Sequence, residues 1–526
     1  MVRLTQLVVI DNDQLKAFRY NHYDGLVRNK TGSLALPMVA IDRRGPKPLH
    51  RQIYDSFRAM IFDRRLHPGQ QIPASRALAA ELGVSRIPVL GAYAQLMAEG
   101  YLESRAGAGT FVAASLSLSE IPRRSAGPPH PEPVAISRAA QRLPLKSLPW
   151  LREPGAFSVG QLAYDHFPFH AWSRVVTRHA RRVSAKSLNY PERAGLAELR
   201  EAVALYLRTS RAVQCEASQI VIVSGSQQAL ALSARVLLDA GTPVWIEEPG
   251  YPFMRDALSL TGCRLVPIPV DGEGLDVAAG IAKCRHARAA FVTPSHQFPL
   301  GVTMSAARRL QLLEWAHRAG AWIVEDDYDS EYRYESMPVA SLQGLDGGAR
   351  VIYIGTFSKT LFPALRVGYA VVPPSLVDSF ISIRHASDLG PPHLYQAALA
   401  DFLNEGHFAR HVRKTRQLYA ERRSALVGAL REEFGPKLEI LGAEAGMHLV
   451  ITLPRGASDG KIATRALNEK LWLWPLSTAY AGATCRQGFI LGFGSTRVED
   501  MHKSVRHLRR VVESESGYRR RERSGH

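Results

Sequence analysis

One lysine, Lys359, stands in the segment GTFSKTLFPALRVGY among small hydroxyl residues, with Arg366 a little further on. The apolar run RVIYIGT leads into it, so the lysine falls at the end of a strand. A lysine held there can form a Schiff base with an aldehyde if its surroundings lower its pKa. Thr356, Ser358 and Arg366 beside it could hold a phosphate. Upstream, AWIVEDDYDSEYRY puts three acids and Tyr328 at the end of another apolar run. Carboxylates at a buried strand end need a cationic partner, and a pyridinium nitrogen would be one. IVIVSGSQQALALSARVLL reads as strand, Gly-Ser turn and helix. Ser226 and Gln227 open that helix, where backbone N–H groups bind phosphate. EEPGYPF sets Tyr251 in a Gly-Pro turn, where its ring could stack on a flat ligand. TPSHQFPLG offers His296 and Gln297 on one more strand-end loop. Each feature alone has a plain reading: a surface lysine, a solvated acidic loop, an ordinary βα turn, a packing ring, a structural histidine. Together they make an aldehyde trap, a ring-nitrogen counterion, a stacking ring and a phosphate cup, the parts of a pyridoxal phosphate site.

Those loops need strands to carry them. From about Phe157 to Glu513, short Val- and Ile-rich runs (QIVIVSG, TPVWIEE, RAAFVTP, AWIVEDD, RVIYIGT) alternate with helix-like stretches. This is the pattern of an α/β domain with a mainly parallel sheet, and such sheets place ligands at the carboxyl ends of their strands. Before it, residues 116–155 are rich in proline and read as a linker. Residues 1–46 read as an extension, and 513–526 as a basic tail. Residues 47–115 form a separate small unit. In it LHRQIYDSFRAMIFDRRL is an amphipathic helix and SRALAAELG a second helix, with Ser75 as its cap. Ser85 caps a third, SRIPVLGAYAQLMAEG, and YLESRAGAGTFVA reads as two strands about a Gly-rich turn. Helix, tight turn, helix, then a β-wing is a DNA-binding arrangement. A three-helix protein-interaction module has the same outline.

The 526 residues carry 66 Lys+Arg against 48 Asp+Glu, a net +18. That balance asks for a polyanion such as nucleic acid, although a basic enzyme would share it. With 46% hydrophobic and 22% charged residues the chain is globular in composition, and no apolar run is long enough to span a membrane. Four scattered cysteines, none in a CxxC pair, suggest neither a disulfide framework nor a zinc site, so we expect no metal and a cytoplasmic setting.

The segments PLHRQIYDSFRAMI, LHPGQQIPASRALAAELGVSR and AYAQLMAEGYLESRAGAGTFV resemble the winged-helix domain of the GntR family almost end to end. The resemblance implies DNA contacts from Ser75, Arg76, Ser85, Arg86, Arg105, Gly107 and Thr110. It departs at Ile87 and Pro88, where the family usually carries polar groups. The larger unit resembles a fold-type I aminotransferase. YPERAGLAELREAVALYL, SGSQQAL, EEPGYP, TPSHQFPLG, EDDYDSEYRY and SKTLFPALRVGY match the MocR subfamily of GntR regulators. That resemblance implies pyridoxal 5'-phosphate bound to Lys359 as a Schiff base. Asp326 would face its pyridine nitrogen, and Tyr328, with Gln297, its ring hydroxyl. Tyr251 would stack on the ring, and Ser226, Gln227, Thr356 and Arg366 would hold the phosphate. Tyr190 would reach the site of a second copy in a homodimer.

The same resemblance leaves the ligand's carboxylate without a partner. Phe253, Thr478, Ala479 and Ile490 stand where relatives carry basic residues, and Arg486 and Arg497 are the substitutes at hand. The expected function is therefore a regulator that binds a double-stranded DNA operator. It would sense an amine, an amino acid or the vitamin itself, with little or no transaminase turnover. An aminotransferase with an accessory DNA-binding domain is the alternative.

Overall fold

The structure, a computed structural model, describes residues 39–116, 136–141, 143, 155–334, 339–454, 456–482 and 485–516. Residues 1–38 of the expected extension, most of the expected linker and residues 517–526 of the expected tail lie outside the described residues. The chain divides into two compact units, 1–134 and 135–526.

In the first unit, α1 (Leu49–Phe62) buries Ile53, Tyr54, Phe57, Met60 and Ile61, the stripe that its spacing requires. β1 (Gln71–Ile72), α2 (Ser75–Glu81), α3 (Arg86–Ala98), β2 (Leu102–Arg105) and β3 (Gly109–Val112) follow. The strands form an antiparallel sheet in the order β1-β3-β2. The wing is as expected from the sequence. β1 was not expected, since two residues carry too little pattern. Gly83, in the turn between α2 and α3, takes φ +60°, a conformation that suits glycine. The helix starts differ from expectation. Ala74, not Ser75, is the cap of α2, and the Ser75 hydroxyl accepts from Arg86 Nε at 3.0 Å instead. Ser85 occupies the cap position of α3, but its side chain caps nothing.

The second unit is built on an eight-stranded sheet. Its strands are β4 (Ile220–Val223), β5 (Pro243–Glu248), β6 (Arg264–Asp271), β7 (Gly274–Leu275), β8 (Ala289–Val292), β9 (Trp322–Asp327), β10 (Val351–Thr356) and β11 (Gly368–Val371). The spatial order is β4-β11-β10-β9-β8-β5-β6-β7. Only β11 and β7 run against the rest, so the sheet is mainly parallel. β4, β8 and β10 are buried along their whole length, on both faces, which is why they read as continuous apolar runs. The pleat divides them. Val221, Val223, Val324, Ile352 and Ile354 enter one core, beneath α4 (Ser226–Leu237) and α5 (Pro252–Ser259). Ile220, Ile222 and Tyr353 point to the other face.

A second sheet, β12 (Ile440–Leu441), β13 (His448–Thr452), β14 (Trp474–Pro475) and β15 (Gly488–Gly492), has the order β12-β13-β15-β14. Its core, with Leu449, Ile451, Phe489 and Leu491, is shared by α6 (His407–Phe434), α7 (Asp459–Asn468) and α8 (Val498–Ser516). Among the described residues no helix is long and apolar enough to cross a membrane.

Leu96 is fully buried in the core of the first unit. Leu96→Ala is expected to destabilise that unit by about 2–5 kcal/mol. In urea unfolding followed separately for each unit, the transition of the first should move and that of the second should not.

Candidate functional site

The pleat of β9 decides which of its three acids is available. Glu325 accepts the backbone N–H groups of Leu342 and Gln343, both at 3.1 Å. Asp327 lies on the same face as Glu325 and is held by Arg211 at 2.6 Å and by the Tyr353 hydroxyl at 2.5 Å. Asp326 points the other way, into a cavity of about 220 Å³, and its Oδ1 is buried without a hydrogen-bond partner. Burial pushes its pKa up to about 7. Asp327, Asp329 and Glu247 add to the rise, and Lys359 opposes it.

Lys359 lines the same cavity. Burial lowers its pKa below the ordinary 10.5, while Asp329 and Asp326 pull the other way. The neutral amine, the form that attacks an aldehyde, is thereby easier to reach. Gly160 leaves room for it: a Cβ there would stand 2.4 Å from Lys359 Nζ, and φ is +79°. Sequence reasoning did not find Gly160, since nothing local marks it.

Of the other expected residues, Ser226, Tyr251 and Tyr328 line the cavity. The Tyr328 hydroxyl donates to the His296 carbonyl at 3.0 Å, and His296 Nδ1 lies 3.1 Å from it. Arg366 and Gln227 stand around the start of α4 and Thr356 at the end of β10, rather than in the cavity wall. The Arg366 guanidinium donates to the Ser224 carbonyl at 2.5 Å and would lie 3.0 Å from a Cβ on Gly225. Thr356 Oγ1 accepts the Ser358 N–H at 3.1 Å, and the Ser358 hydroxyl is buried without a hydrogen-bond partner. Gln227 donates to the Phe253 carbonyl at 2.7 Å.

Gln297 is placed otherwise than expected. Its amide N–H groups donate to Pro249 O at 2.8 Å and Phe298 O at 2.6 Å, and its carbonyl accepts Leu300 N–H. It ties its own loop to the one that follows β5 and does not line the cavity. Tyr190 is 78% exposed on a separate surface cleft. Neither arginine substitute enters the site: Arg486 pairs with Glu439, and Arg497 lies in another surface cleft. Ile490 is buried in an apolar cluster with Phe298 and Leu476.

The structure adds residues that the sequence did not single out: Asp329, His448, Phe298, Met447 and Trp474 also line the cavity. Asp329 Oδ2 accepts Met447 N–H at 3.2 Å and lies 3.2 Å from His296 Nδ1, while its Oδ1 has no hydrogen-bond partner. His296, Asp329 and His448 bring potential ligand atoms within 4.8 Å of one another. Asp329 had a weak signal, as the next acid after Tyr328. His448 and Trp474 had none, because they stand at the starts of β13 and β14 in the second sheet, which sequence cannot fold against the first.

In the first unit, Arg76, Ser85 and Arg86 are exposed at the starts of α2 and α3, and Ile87 beside them is 78% exposed. In the wing, Arg105 pairs with Glu103 at 2.6 Å and its guanidinium lies 4.5 Å over the Phe111 ring. Gly107 turns the wing at φ +73°, and Thr110 is half-buried on β3.

Residues 49–112 match the bacterial regulatory proteins of the gntR family, and residues 156–490 match aminotransferase class I and II. The chain is 41% identical over 475 residues to the probable rhizopine catabolism regulatory protein MocR of Rhizobium meliloti, covering 90% of this chain and 95% of that protein. It is 32% identical over 461 residues to the pyridoxine biosynthesis transcriptional regulator PdxR of Corynebacterium glutamicum, covering 87% and 94%. The α-aminoadipate aminotransferase LysN of Thermus thermophilus, solved with N-(5'-phosphopyridoxyl)-L-leucine, superposes with a TM-score of 0.67 at 29% identity over 72% of this chain and 97% of that one. A gntR-type winged helix joined to an aminotransferase-like domain defines a class of transcriptional regulator. The chain belongs to the MocR-like GntR regulators.

Asp326 and Asp327 are expected to respond differently to substitution. Arg211→Met leaves Asp327 buried without its ion pair and should destabilise the second unit by about 3–5 kcal/mol. Asp326 serves a cation only when ionised. With its pKa raised to about 7, affinity for pyridoxal phosphate should fall as pH drops below about 7. In fluorescence titrations across that range, Asp326→Asn should lower the affinity and flatten its pH dependence.

Proposed function

We infer that this protein is a DNA-binding regulator whose second unit holds pyridoxal phosphate on Lys359 and uses it to sense an amine. The observation that carries the reading is the buried, unpartnered Asp326 carboxylate in one cavity with Lys359. Burying such a group costs free energy unless a cation meets it, and a protonated pyridine is the cation of matching size and place. Pyridoxal phosphate, when bound, supplies an aldehyde and a ring that withdraws electrons. Lys359 provides the amine, kept reactive by burial and given space by Gly160. Tyr251 offers its ring to one side of the cavity. The Ser226 N–H at the start of α4, the Ser358 hydroxyl and Arg366 form the corner suited to a phosphate. Tyr328 stands at the side nearest His296 and can serve the ring hydroxyl.

An effector amine would take the place of the Lys359 amine at the cofactor's aldehyde, leaving the Lys359 side chain free in the cavity. That exchange biases a homodimer between two arrangements, and exposed Tyr190 is the residue suited to reach the second copy's site. The alternative aminotransferase reading requires a grip on the carboxylates of two successive substrates. The positions of Arg486, Arg497 and Ile490 favour sensing over turnover. On the DNA side, Arg76, Arg86 and Arg105 serve phosphates or guanine edges. Ile87 offers a methyl contact in place of a hydrogen bond.

Borohydride reduction of the loaded protein should fix the cofactor on Lys359, and Lys359→Ala should abolish that labelling; label recovered on another lysine refutes the assignment. Arg86→Ala should weaken binding to an operator selected from random duplexes by about 1–3 kcal/mol while leaving cofactor capture unchanged. Affinity for that operator should fall steeply with salt in gel-shift titrations.

A further inference from the structure

The cavity wall beyond Asp326 and Lys359 has a chemistry of its own. Four aromatic rings close on one another around it. Tyr251 lies 5.5 Å from Phe253 and 5.2 Å from Phe298, and Trp474 lies 6.0 Å from Phe253 and 5.5 Å from Phe298. Such faces favour carbon skeletons and cations. The same cavity is lined by Asp329, with its unpartnered Oδ1, and by His448, whose ring lies 5.3 Å from that of Phe298 and whose Nε2 faces the Pro299 carbonyl at 3.1 Å. Burial and neighbouring His296 lower the His448 pKa to about 3, so it carries no positive charge near neutral pH. Among the described residues the only lining side chain of positive charge is Lys359. A ligand carboxylate placed here would meet an anion, a neutral imidazole and aromatic faces, which is costly in a buried site.

We propose that the effector is a primary amine without a carboxylate, its carbon body against the aromatic ring of walls and a hydroxyl or other neutral donor facing Asp329. The selection works by repulsion as well as fit: Asp329 rejects acids, and the aromatic wall supplies contact area that favours carbon skeletons and cations. The proposal rests on the reading that Lys359 carries pyridoxal phosphate.

The test uses the full chain loaded with pyridoxal phosphate and matched ligands: phenethylamine and phenylalaninol against phenylalanine, and cyclohexylmethylamine against cyclohexylglycine. Dissociation constants come from the absorption band of the lysine-bound cofactor and, independently, from the thermal midpoint. The carboxylate-free member of each set is expected to bind about tenfold tighter or more. Phe253→Arg should move the preference toward the amino acid, and Asp329→Asn should narrow it in the same direction. Equal or tighter binding of the amino acids by the unaltered protein overturns the proposal. So does a band that no amine moves although borohydride fixes the cofactor on Lys359; that result leaves the cofactor reading standing. Failure to fix any cofactor on Lys359 overturns both.

Discussion

A carboxylate buried without a partner is the constraint on which the rest of the second unit turns. Asp326 lies in the same strand as two other acids, and all three are buried. Two of them are compensated within the chain, Glu325 by backbone N–H groups and Asp327 by Arg211 and Tyr353. The pleat puts Asp326 on the opposite face, where the cation that opposes the rise in its pKa is the ammonium of Lys359, itself disfavoured by burial. Each group's pKa is moved toward its neutral form. An acid and a base that both lean toward neutrality in one cavity are poised to respond to a bound ligand.

That poise depends on the sheet. β9 and β10 are parallel neighbours in register, Ile354 beside Asp326, so the loops leaving their carboxyl ends emerge side by side and bring Tyr328, Asp329 and Lys359 together. β4 lies two places from β10, across β11, and its outgoing turn starts α4 next to Arg366. The sequence-distant cluster is therefore a consequence of strand order. The second sheet closes the cavity from the other side with Met447, His448 and Trp474, which belong to β13, β14 or their borders.

This division explains what the sequence disclosed. Strands buried on both faces show up as apolar runs, so the order of the sheet's main elements and the loops at their ends were legible, and with them Lys359, Asp326, Tyr328, Tyr251 and Ser226. The choice among three adjacent acids was not a matter of spacing alone, since the family pattern pointed to Asp326 and the pleat gives the physical reason. Gln297 differs from expectation because a polar side chain on a strand-end loop can brace loops as easily as face the cavity; it bonds Phe298 and Leu300 in its own loop and Pro249 in the loop after β5. Ser75 was misread as a cap because the residue before it, Ala74, already holds the extended conformation of the cap position. Gly160, His448 and Trp474 were invisible because their role exists only after two sheets meet.

The two units pose the recognition problem in opposite electrostatic terms. The chain as a whole is strongly basic, yet the cavity is lined by Asp326 and Asp329 and by a histidine held neutral. Long-range attraction of anions to the exposed arginines of the winged helix is screened over about 10 Å in ordinary salt, whereas contacts inside the cavity are screened far less. A basic surface for a polyanion and an acid-lined interior for a small cation can thus coexist in one chain without competing for the same ligands. An amine of the kind proposed for the cavity would carry the charge sign that the surface repels, and a DNA duplex is excluded from the cavity by size.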